Sequence, residues 1–339
     1  MNRWTALFIS ANFVFLGCAC LCPAMQIGAG DKPPVIRPPK KDKKTELPNQ
    51  ALEQLPQPPL ALPADGTKLS FLAAPLSNSG LLSQQTRDAL KWMIGQARGA
   101  QFVRLRAFVA GSGDLRRIPQ LIGEAFAEKH LSLPVVVALQ VGALPLEGAQ
   151  VQLEAILQQG HAVNPGGVSF AAFGAESSQD ALTKLKQAGE LLRATCYVPS
   201  LEGHAPLEGV VWIQPQRLPA QTTTWCEGVV RLAGAAMPAQ PLVFSGAQLA
   251  FSYSEEDARL AYERLEKTLK SANSTLKNAV FLSFYPLSAQ LAELARRTGP
   301  SYLDSAHRPA GVRTVVFEGL PSMDGSFAIE AIATVSSPN

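Results

Sequence analysis

The chain has 339 residues, of which 47% are hydrophobic and 17% are charged, and its formal net charge is +3. This much apolar material is enough for a sizeable core or for several small units. The chain is close to neutral, and we see no cluster of Lys and Arg residues that could neutralise phosphates. We therefore expect no nucleic-acid partner.

The N-terminus is typical of an export signal, which we assign to residues 1–24. Arg3 supplies a positive charge ahead of an apolar stretch at residues 4–16, which is shorter than the roughly 20 residues that a membrane span needs. Three interpretations remain open: lipidation at Cys18 within a lipobox-like segment, cleavage after Ala24, or a retained membrane helix. Export would place the protein in the periplasm or the cell envelope, with membrane contact only through a lipid anchor.

Residues 25–66 predict a Pro-rich linker. A Lys- and Asp-containing run at residues 40–44 has no apolar face. Adjacent prolines cannot sustain a helix or a central strand. They occur at Pro33-Pro34, Pro38-Pro39 and Pro58-Pro59. Such a segment stays extended and acts as a spacer.

After residue 66 the same order of elements recurs three times, which predicts three units at residues 67–160, 161–234 and 235–337. Each unit opens with a short strand, continues with an amphipathic helix and a second strand, and then has an apolar run that ends in Leu-Pro. A last strand in each unit carries one glutamate, and these residues are Glu154, Glu227 and Glu330.

Hydrophobic spacing places the helices and strands of these units. Apolar stripes at helical spacing run through Leu90, Ile118, Leu182, Leu265 and Leu291. The middle unit lacks a second helix, because residues 199–209 contain Pro and Gly without a helical period. The expected strands are 69–72, 102–109, 135–139, 168–171, 191–198, 210–213, 242–245, 279–285 and 312–317.

The third unit resembles the Rid family, the reactive intermediate deaminases that are also called YjgF-like or L-PSP endoribonuclease-like proteins. Leu242–Ala250 is similar to the family's opening strand with its S-G-Q, and Leu320-Pro321 and Ile329–Ala333 are similar to its C-terminal end. The resemblance covers nearly all of residues 236–335. It is weaker over 67–158, and over 162–233 it holds only in outline.

Rid proteins are trimers of a chorismate-mutase-like α/β (α+β) fold with ligand clefts between subunits. The resemblance therefore implies three tandem β-β-α-β-α-β-β units that form an intramolecular pseudo-trimer within a monomeric chain. Fusion in one chain would let the units cover each other's open sheet faces. The alternatives are three units arranged as beads, or one larger irregular α/β domain.

In the Rid family an arginine binds the carboxylate of a 2-imino acid while water attacks the imine carbon, a task that suits the planar guanidinium fork. The resemblance implies Arg313 as this catalytic clamp, although counting back from Leu320 places the family's arginine at Val312. A slip of one residue turns a strand side chain to the other face. A bulge could restore the clamp; otherwise Arg313 lies on the solvent face.

The implied ligand-binding set is Arg313, Glu330, Ser245 and Gly246. The stretches equivalent to Arg313 in the first two units contain no arginine, so at least two of the three clefts lack the clamp. For Glu154 and Glu227 we expect a structural role. The family's other glutamate on the last strand is replaced here by Gln152, Trp225 and Ala328.

Cysteines and histidines give few further candidates. Export would permit a disulfide between Cys196 and Cys226; the alternative is that both are small buried hydrophobic residues. No metal and no cofactor is expected, because no phosphate-binding glycine loop is present and the histidines lack metal-ligand spacing. The histidines are His130, His161, His204 and His307.

Three functions remain open from the sequence. The favoured one is an exported, non-catalytic or weakly active Rid-like protein that binds a small metabolite or a protein partner in clefts between its units. The second is a deaminase of 2-iminobutanoate and 2-iminopropanoate that works from one cleft with Arg313. The third is a structural or assembly module of the cell envelope.

Overall fold

The structure is a computed structural model, and it describes residues 56–111, 113–160, 167–234, 242–304 and 311–335. The predicted export signal, the lipidation site at Cys18 and most of the predicted linker lie outside these ranges. Among the residues that are described, no helix is long and apolar enough to cross a membrane.

The first seven elements begin with an edge strand and then form sheet 1. Sheet 1 has the strand order β2-β5-β3-β4, with β3 and β4 parallel and the other pairs antiparallel. The elements are β1 (Ala61–Ala64), β2 (Leu69–Ala73), α1 (Leu82–Ala97), β3 (Gln101–Ala110), α2 (Arg117–Glu128), β4 (Val135–Val141) and β5 (Val151–Gln158).

Sheet 2 follows, with the strand order β1-β6-β9-β7-β8. Its further elements are β6 (Val168–Ala175), α3 (Ser178–Gln187), β7 (Glu190–Tyr197), β8 (Val210–Ile213) and β9 (Thr224–Arg231). Strand β1 precedes sheet 1 in the chain but pairs antiparallel with β6. Residues 61–64 therefore do not belong to the linker predicted for 25–66. Because β1 is an edge strand, the missing N–H of Pro63 is tolerated there.

Sheet 3 has the order β10-β14-β12-β13, and β11 also pairs with β14. Its elements are β10 (Leu242–Phe244), β11 (Gln248–Ala250), α4 (Glu255–Ser271), β12 (Ala279–Pro286), α5 (Ala289–Thr298), β13 (Gly311–Thr314) and β14 (Phe327–Thr334). The mixed α/β class is confirmed, and the five helices of the described residues occupy the five segments with helical hydrophobic spacing. Between β7 and β8 the described residues 198–209 contain no helix.

Helix α4 shows why these segments are helical. The Ser254 hydroxyl caps the N-terminus by accepting the backbone N–H of Asp257, and the first turn carries three acidic residues that complement the helix dipole. Its buried stripe runs through Leu265, as the helical spacing predicts, and consists of Ala258, Ala261, Tyr262, Leu265 and Leu269.

One interior strand in each of the three sheets has the same irregularity. Strands β3, β7 and β12 each shift register near their start, directly before Arg104, Arg193 and Phe281. A bulge of one residue moves the following side chains to the opposite face. The alternating residues that then face away from the helices are Arg104, Arg106 and Phe108 in β3, Arg193, Thr195 and Tyr197 in β7, and Phe281, Ser283 and Tyr285 in β12.

The helix-free faces of the three sheets pack against one another in two apolar layers. In one layer the rings of Phe108, Tyr197 and Tyr285 lie 6.0, 6.3 and 5.5 Å from the ring of Phe317. The other layer includes Phe71, Phe170 and Phe281. Charged side chains from all three sheets lie between these layers and form the candidate site.

Candidate functional site

One glutamate from each sheet occupies the same register position in the junction between the sheets. Glu154 of β5 lies opposite Arg106, Glu227 of β9 opposite Thr195, and Glu330 of β14 opposite Ser283. A common four-strand order gives the three glutamates equivalent positions, and the packing of the sheets against one another brings their carboxylates together. Together with Arg104, Arg106, Arg193 and Arg313 they form what we call the junction cluster.

Three ion pairs of this cluster connect the sheets in a closed ring. Arg106 of sheet 1 donates from Nε to Glu227 of sheet 2 at 2.7 Å. Arg193 of sheet 2 donates from Nη2 to Glu330 of sheet 3 at 2.8 Å.

Arg313 of sheet 3 closes the ring, with its Nε 3.1 Å from Oε2 of Glu154 in sheet 1. Removing one partner from such a buried pair leaves an uncompensated charge, so each junction between sheets depends on its pair.

Two of the three glutamates also accept a hydrogen bond from a tyrosine hydroxyl. Tyr197 donates to Glu227 at 2.7 Å, and Tyr285 donates to Glu330. In sheet 1 the equivalent position holds Phe108, and Glu154 instead receives a bond of 2.5 Å from Nη1 of Arg106. Burial raises the pKa of Tyr197, and the Glu227 carboxylate raises it further. The phenol is therefore a neutral donor at ordinary pH.

Two carboxylates of the cluster, those of Glu227 and Glu330, are ionised. Burial by itself would raise the pKa of Glu227, but Arg106 and Arg104 outweigh this effect and hold the pKa below its usual value. Burial would likewise raise the pKa of Glu330, but mainly Arg193 and Arg313 lower it to about 2. Glutamates with such partners accept hydrogen bonds and hold arginines; they do not exchange protons near neutral pH.

One of the two expectations for Arg313 placed it on the solvent face. Instead it lies inside this cluster. Its side chain has no exposed surface, whereas Val312 is 46% exposed. Strand β13 pairs with β12 in an unbroken register, so no bulge accounts for the position. The guanidinium carbon of Arg313 lies 4.8 Å from the ring centre of Phe108 and 4.4 Å from that of Tyr285.

The other implied ligand residues line only a small cavity. Ser245 and Glu330 are among the residues around a space of about 30 Å³. The Ser245 hydroxyl donates to the carbonyl of Gly246 and accepts from the N–H of Ala331, so it is fully engaged. Gly246 has a φ of +72° in the turn between β10 and β11. Organic ligands occupy pockets of roughly 300–1,000 Å³, so a 2-imino acid does not fit this cavity.

A second and larger space opens between β4 of sheet 1 and β6 and β9 of sheet 2, and we call it the open cleft. Its volume is about 760 Å³. Val136 and Ala138 form one wall, Ala172 and Trp225 the other, and residues 57–60 contribute Pro and Leu side chains at one side. The walls are therefore mainly apolar, as in pockets that take small organic molecules.

Arg217 is a charged residue of the open cleft that lacks a partner. A backbone bridge to Gln140 fixes its position beside the cleft. Its guanidinium has no hydrogen bond or ion pair with any part of the chain that the structure describes, whereas Arg116 on the same cleft pairs with Asp114 at 3.0 Å. Arg217 is thus available for an anionic group.

The positions of the family's other glutamate carry no carboxylate in the structure either. Trp225 lies in the wall of the open cleft, and Ala328 is buried among the aromatic rings around Phe317. The amide of Gln152 donates to the carbonyl of Ala74 at 2.7 Å. None of these three side chains can act as a general base.

Cys196 and Cys226 form a disulfide between β7 and β9. The two residues are cross-strand partners and face the helix side of sheet 2, among the residues packed around Leu185. The disulfide therefore lies on the face opposite to the junction cluster.

Sequence reasoning did not find Arg104, Arg106 and Arg193. A signal was present, because arginines that alternate with apolar residues inside a β-rich run place their charges on one face of a strand. Within the described residues, no group of three or more His, Cys, Asp or Glu side chains is placed to hold a metal ion.

Among known proteins, this chain shows similarity only to solved structures. No protein-family model matches this chain, and no curated protein matches it. A member of the YjgF/YER057c/UK114 family from Mycobacterium tuberculosis is 23% identical over 28% of this chain and 80% of its own length, with a TM-score of 0.26. The Rid-family protein YyfB of Yersinia pestis is 20% identical over 32% of this chain and 84% of its own, with a TM-score of 0.25.

A chorismatase is 12% identical and covers 78% of this chain and 75% of its own length, with a TM-score of 0.28. YjgF/Rid proteins are thus among the solved structures that parts of this chain resemble, each over about 30% of its length. Because TM-scores in this range carry no argument about mechanism, the activity has to be inferred from the chain's own side chains.

Proposed function

We propose that this protein is an exported, non-catalytic or weakly active Rid-like binding protein, and that its ligand is a small organic acid with an apolar body. The observation that carries this proposal is the open cleft of about 760 Å³, with apolar walls and the unpartnered guanidinium of Arg217 beside it. In this proposal the signal at residues 1–24 directs export, and the linker holds the folded part away from the membrane.

The proposal includes three Rid-like units, at 67–160, 161–234 and 235–337, arranged as an intramolecular pseudo-trimer. Its support is the shared construction of the three sheets. Each contains the same four-strand order, an irregularity at the same place in one interior strand, and a glutamate at the same register position. The ring of Arg–Glu pairs, in which each of the three junctions is crossed by at least one pair, further supports a threefold arrangement.

Binding is favoured over imine hydrolysis because the expected clamp, Arg313, lies outside the open cleft, and the carboxylate of Asp114 at that cleft is paired with Arg116. Arg313 is buried against Glu154 and two aromatic rings. A deaminase needs a guanidinium that reaches the substrate carboxylate and a group that positions water. Arg217 could bind a carboxylate in the open cleft, but no Asp or Glu of the neighbouring strands β4, β6 and β9 lines that cleft.

Calorimetric titration of the full chain with 4-phenylbutanoate and with its neutral amide tests the ligand class. We expect the acid to bind about tenfold more tightly than the amide, because a charge-assisted hydrogen bond to Arg217 is lost in the amide. Arg217→Gln should remove this difference, and the control Arg87→Gln, at an exposed pair with Glu124, should retain it. Equal binding of acid and amide by the unmodified protein would refute carboxylate recognition.

The catalytic alternative has a separate test. We expect the full chain not to accelerate hydrolysis of 2-iminopropanoate or 2-iminobutanoate. Acceleration that Arg313→Lys abolishes, with the fold retained by circular dichroism, would contradict a binding role and establish a deaminase.

A further inference from the structure

The junction cluster carries one more positive than negative charge. Four guanidinium groups face three carboxylates, and the two tyrosines beside them are neutral. Arg104 is the arginine that is left over, because the ring of pairs uses Arg106, Arg193 and Arg313. A buried charge without a full countercharge is costly unless another group of opposite charge lies nearby.

Arg104 is buried but makes no hydrogen bond through its side chain within the described chain. Its nitrogens lie 3.6 Å from Glu227 and 4.0 Å from Glu154, which are ion-pair contacts too long for hydrogen bonds. Its guanidinium also lies 5.4 Å from the ring centre of Phe170. Burial, together with the neighbouring charge of Arg106, lowers the pKa of Arg104 to about 10, although both glutamates act in the opposite direction.

Arg104 faces the small cavity of about 30 Å³ that Ser245 and Glu330 also line. Thr195 and Ser283 contribute two further donors, since neither hydroxyl has a hydrogen-bond partner among the described residues. A volume of roughly 10–15 Å³ suffices for one water molecule, so this cavity suits a particle slightly larger than water. It is too small for an organic acid.

We propose that this cavity binds one small monovalent inorganic anion, of the size of chloride, held by Arg104 and by the hydroxyls of Thr195 and Ser283. The two carboxylates at the cavity do not prevent this. Both oxygens of Glu227 already accept bonds, from Arg106 and Tyr197, and both oxygens of Glu330 accept bonds from Arg193 and Tyr285. The anion would neutralise the cluster and would lock the three sheets together at their common junction.

Diffraction from crystals of the full chain grown in sodium bromide tests the site directly. We expect an anomalous peak in the cavity, within about 3.5 Å of a guanidinium nitrogen of Arg104. Density without an anomalous signal at this place would mean that water fills the cavity and would overturn the proposal. A peak confined to surface arginines would mean an adventitious ion only and would overturn it as well.

Thermal unfolding provides a second test in solution. Chloride or bromide, compared at equal ionic strength with the bulkier isethionate, should raise Tm saturably by roughly 2–6 °C, because a ligand that binds only the native state stabilises it. Arg104→Met should abolish this anion dependence, since methionine keeps the aliphatic bulk without the charge. The matched control Arg87→Met, at an exposed site, should retain it.

A Tm of the unmodified protein that is equal in chloride and isethionate would contradict the proposal. In isethionate we expect Arg104→Met to be at least as stable as the unmodified protein, because the excess charge is gone. If that variant does not fold, the bromide crystals and the salt comparison of the unmodified protein still decide the question.

Discussion

The junction cluster and the open cleft both present arginine side chains, but the surroundings of these side chains differ. In the junction cluster four guanidiniums share three carboxylates, and the cavity that part of the cluster lines measures only about 30 Å³. In the open cleft Arg217 stands unpartnered beside apolar walls that enclose about 760 Å³. The first arrangement holds side chains against one another, and the second leaves room for an organic molecule.

An arginine with carboxylate partners and little free volume beside it has a structural role, whereas an unpartnered arginine beside a large cleft can bind a ligand. A perturbed pKa or a buried ion pair is weak support for a functional site when the charges serve each other. Arg313 is the example, because family resemblance points to it as the ligand clamp while its side chain is fully buried against Glu154 and two aromatic rings. Four predictions test the contrast, from the largest expected effect to the smallest.

Glu227→Gln should destabilise the protein by about 3–5 kcal/mol, because it leaves Arg106 and Arg104 without their shared countercharge. Urea unfolding followed by circular dichroism measures this loss. The control Glu190→Gln removes a partly exposed pair with Arg231 and should change stability by less than about 0.5 kcal/mol. If both variants lose equally little, the junction cluster does not hold the sheets together.

Replacing both disulfide cysteines, Cys196→Ala with Cys226→Ala, should cost about 2–4 kcal/mol, because the bond restricts the unfolded chain. The strands β7 and β9 carry Tyr197 and Glu227 on their other face. The disulfide therefore links the two strands that hold these residues of sheet 2 in place. Urea unfolding with and without reductant measures the effect. A reductant that leaves the unfolding midpoint unchanged would show that the bond is absent in solution.

Acid should destabilise the protein through Glu330. Its pKa is lowered to about 2 in the folded protein, against about 4.3 for an unfolded glutamate. The stabilisation is therefore complete above about pH 4.3 and is lost as the pH falls towards 2, by roughly 3 kcal/mol from this group.

Unfolding free energies at pH 5, 4 and 3 measure this slope. The variant Glu330→Gln should be less stable at pH 5 but should lose less stability between pH 5 and pH 3. Identical slopes for the variant and the unmodified protein would place the acid sensitivity elsewhere.

Ala220→Trp should change stability by less than about 0.5 kcal/mol, because Ala220 is exposed in the wall of the open cleft. The added ring should occupy part of the cleft and weaken the binding of 4-phenylbutanoate in the calorimetric titration. A large loss of stability would mean that the cleft wall is as tightly packed as the junction cluster, and the comparison would fail.

Local regularities in the sequence determined much of this architecture. The stripes through Leu90, Ile118, Leu182, Leu265 and Leu291 predict the five helices, since helical spacing reports which face of a segment is apolar. The missing helix at 199–209 follows from Pro and Gly without a helical period. The recurrence of Leu-Pro and one glutamate in each unit indicates the three similar sheets.

Contacts between segments distant in the chain were decided only by the tertiary structure. Strand β1 joins sheet 2, although it precedes sheet 1 in the chain, because a free edge of β6 offers it hydrogen-bond partners. Arg106 and Arg193 face inward because a bulge lies earlier in their strands, whereas Arg313 faces inward through the register of β13 with β12. Each of the three then pairs with a glutamate of a neighbouring sheet. A sequence shows that a residue can carry a charge, but what the charge does is set by the groups that folding places within a few ångströms of it.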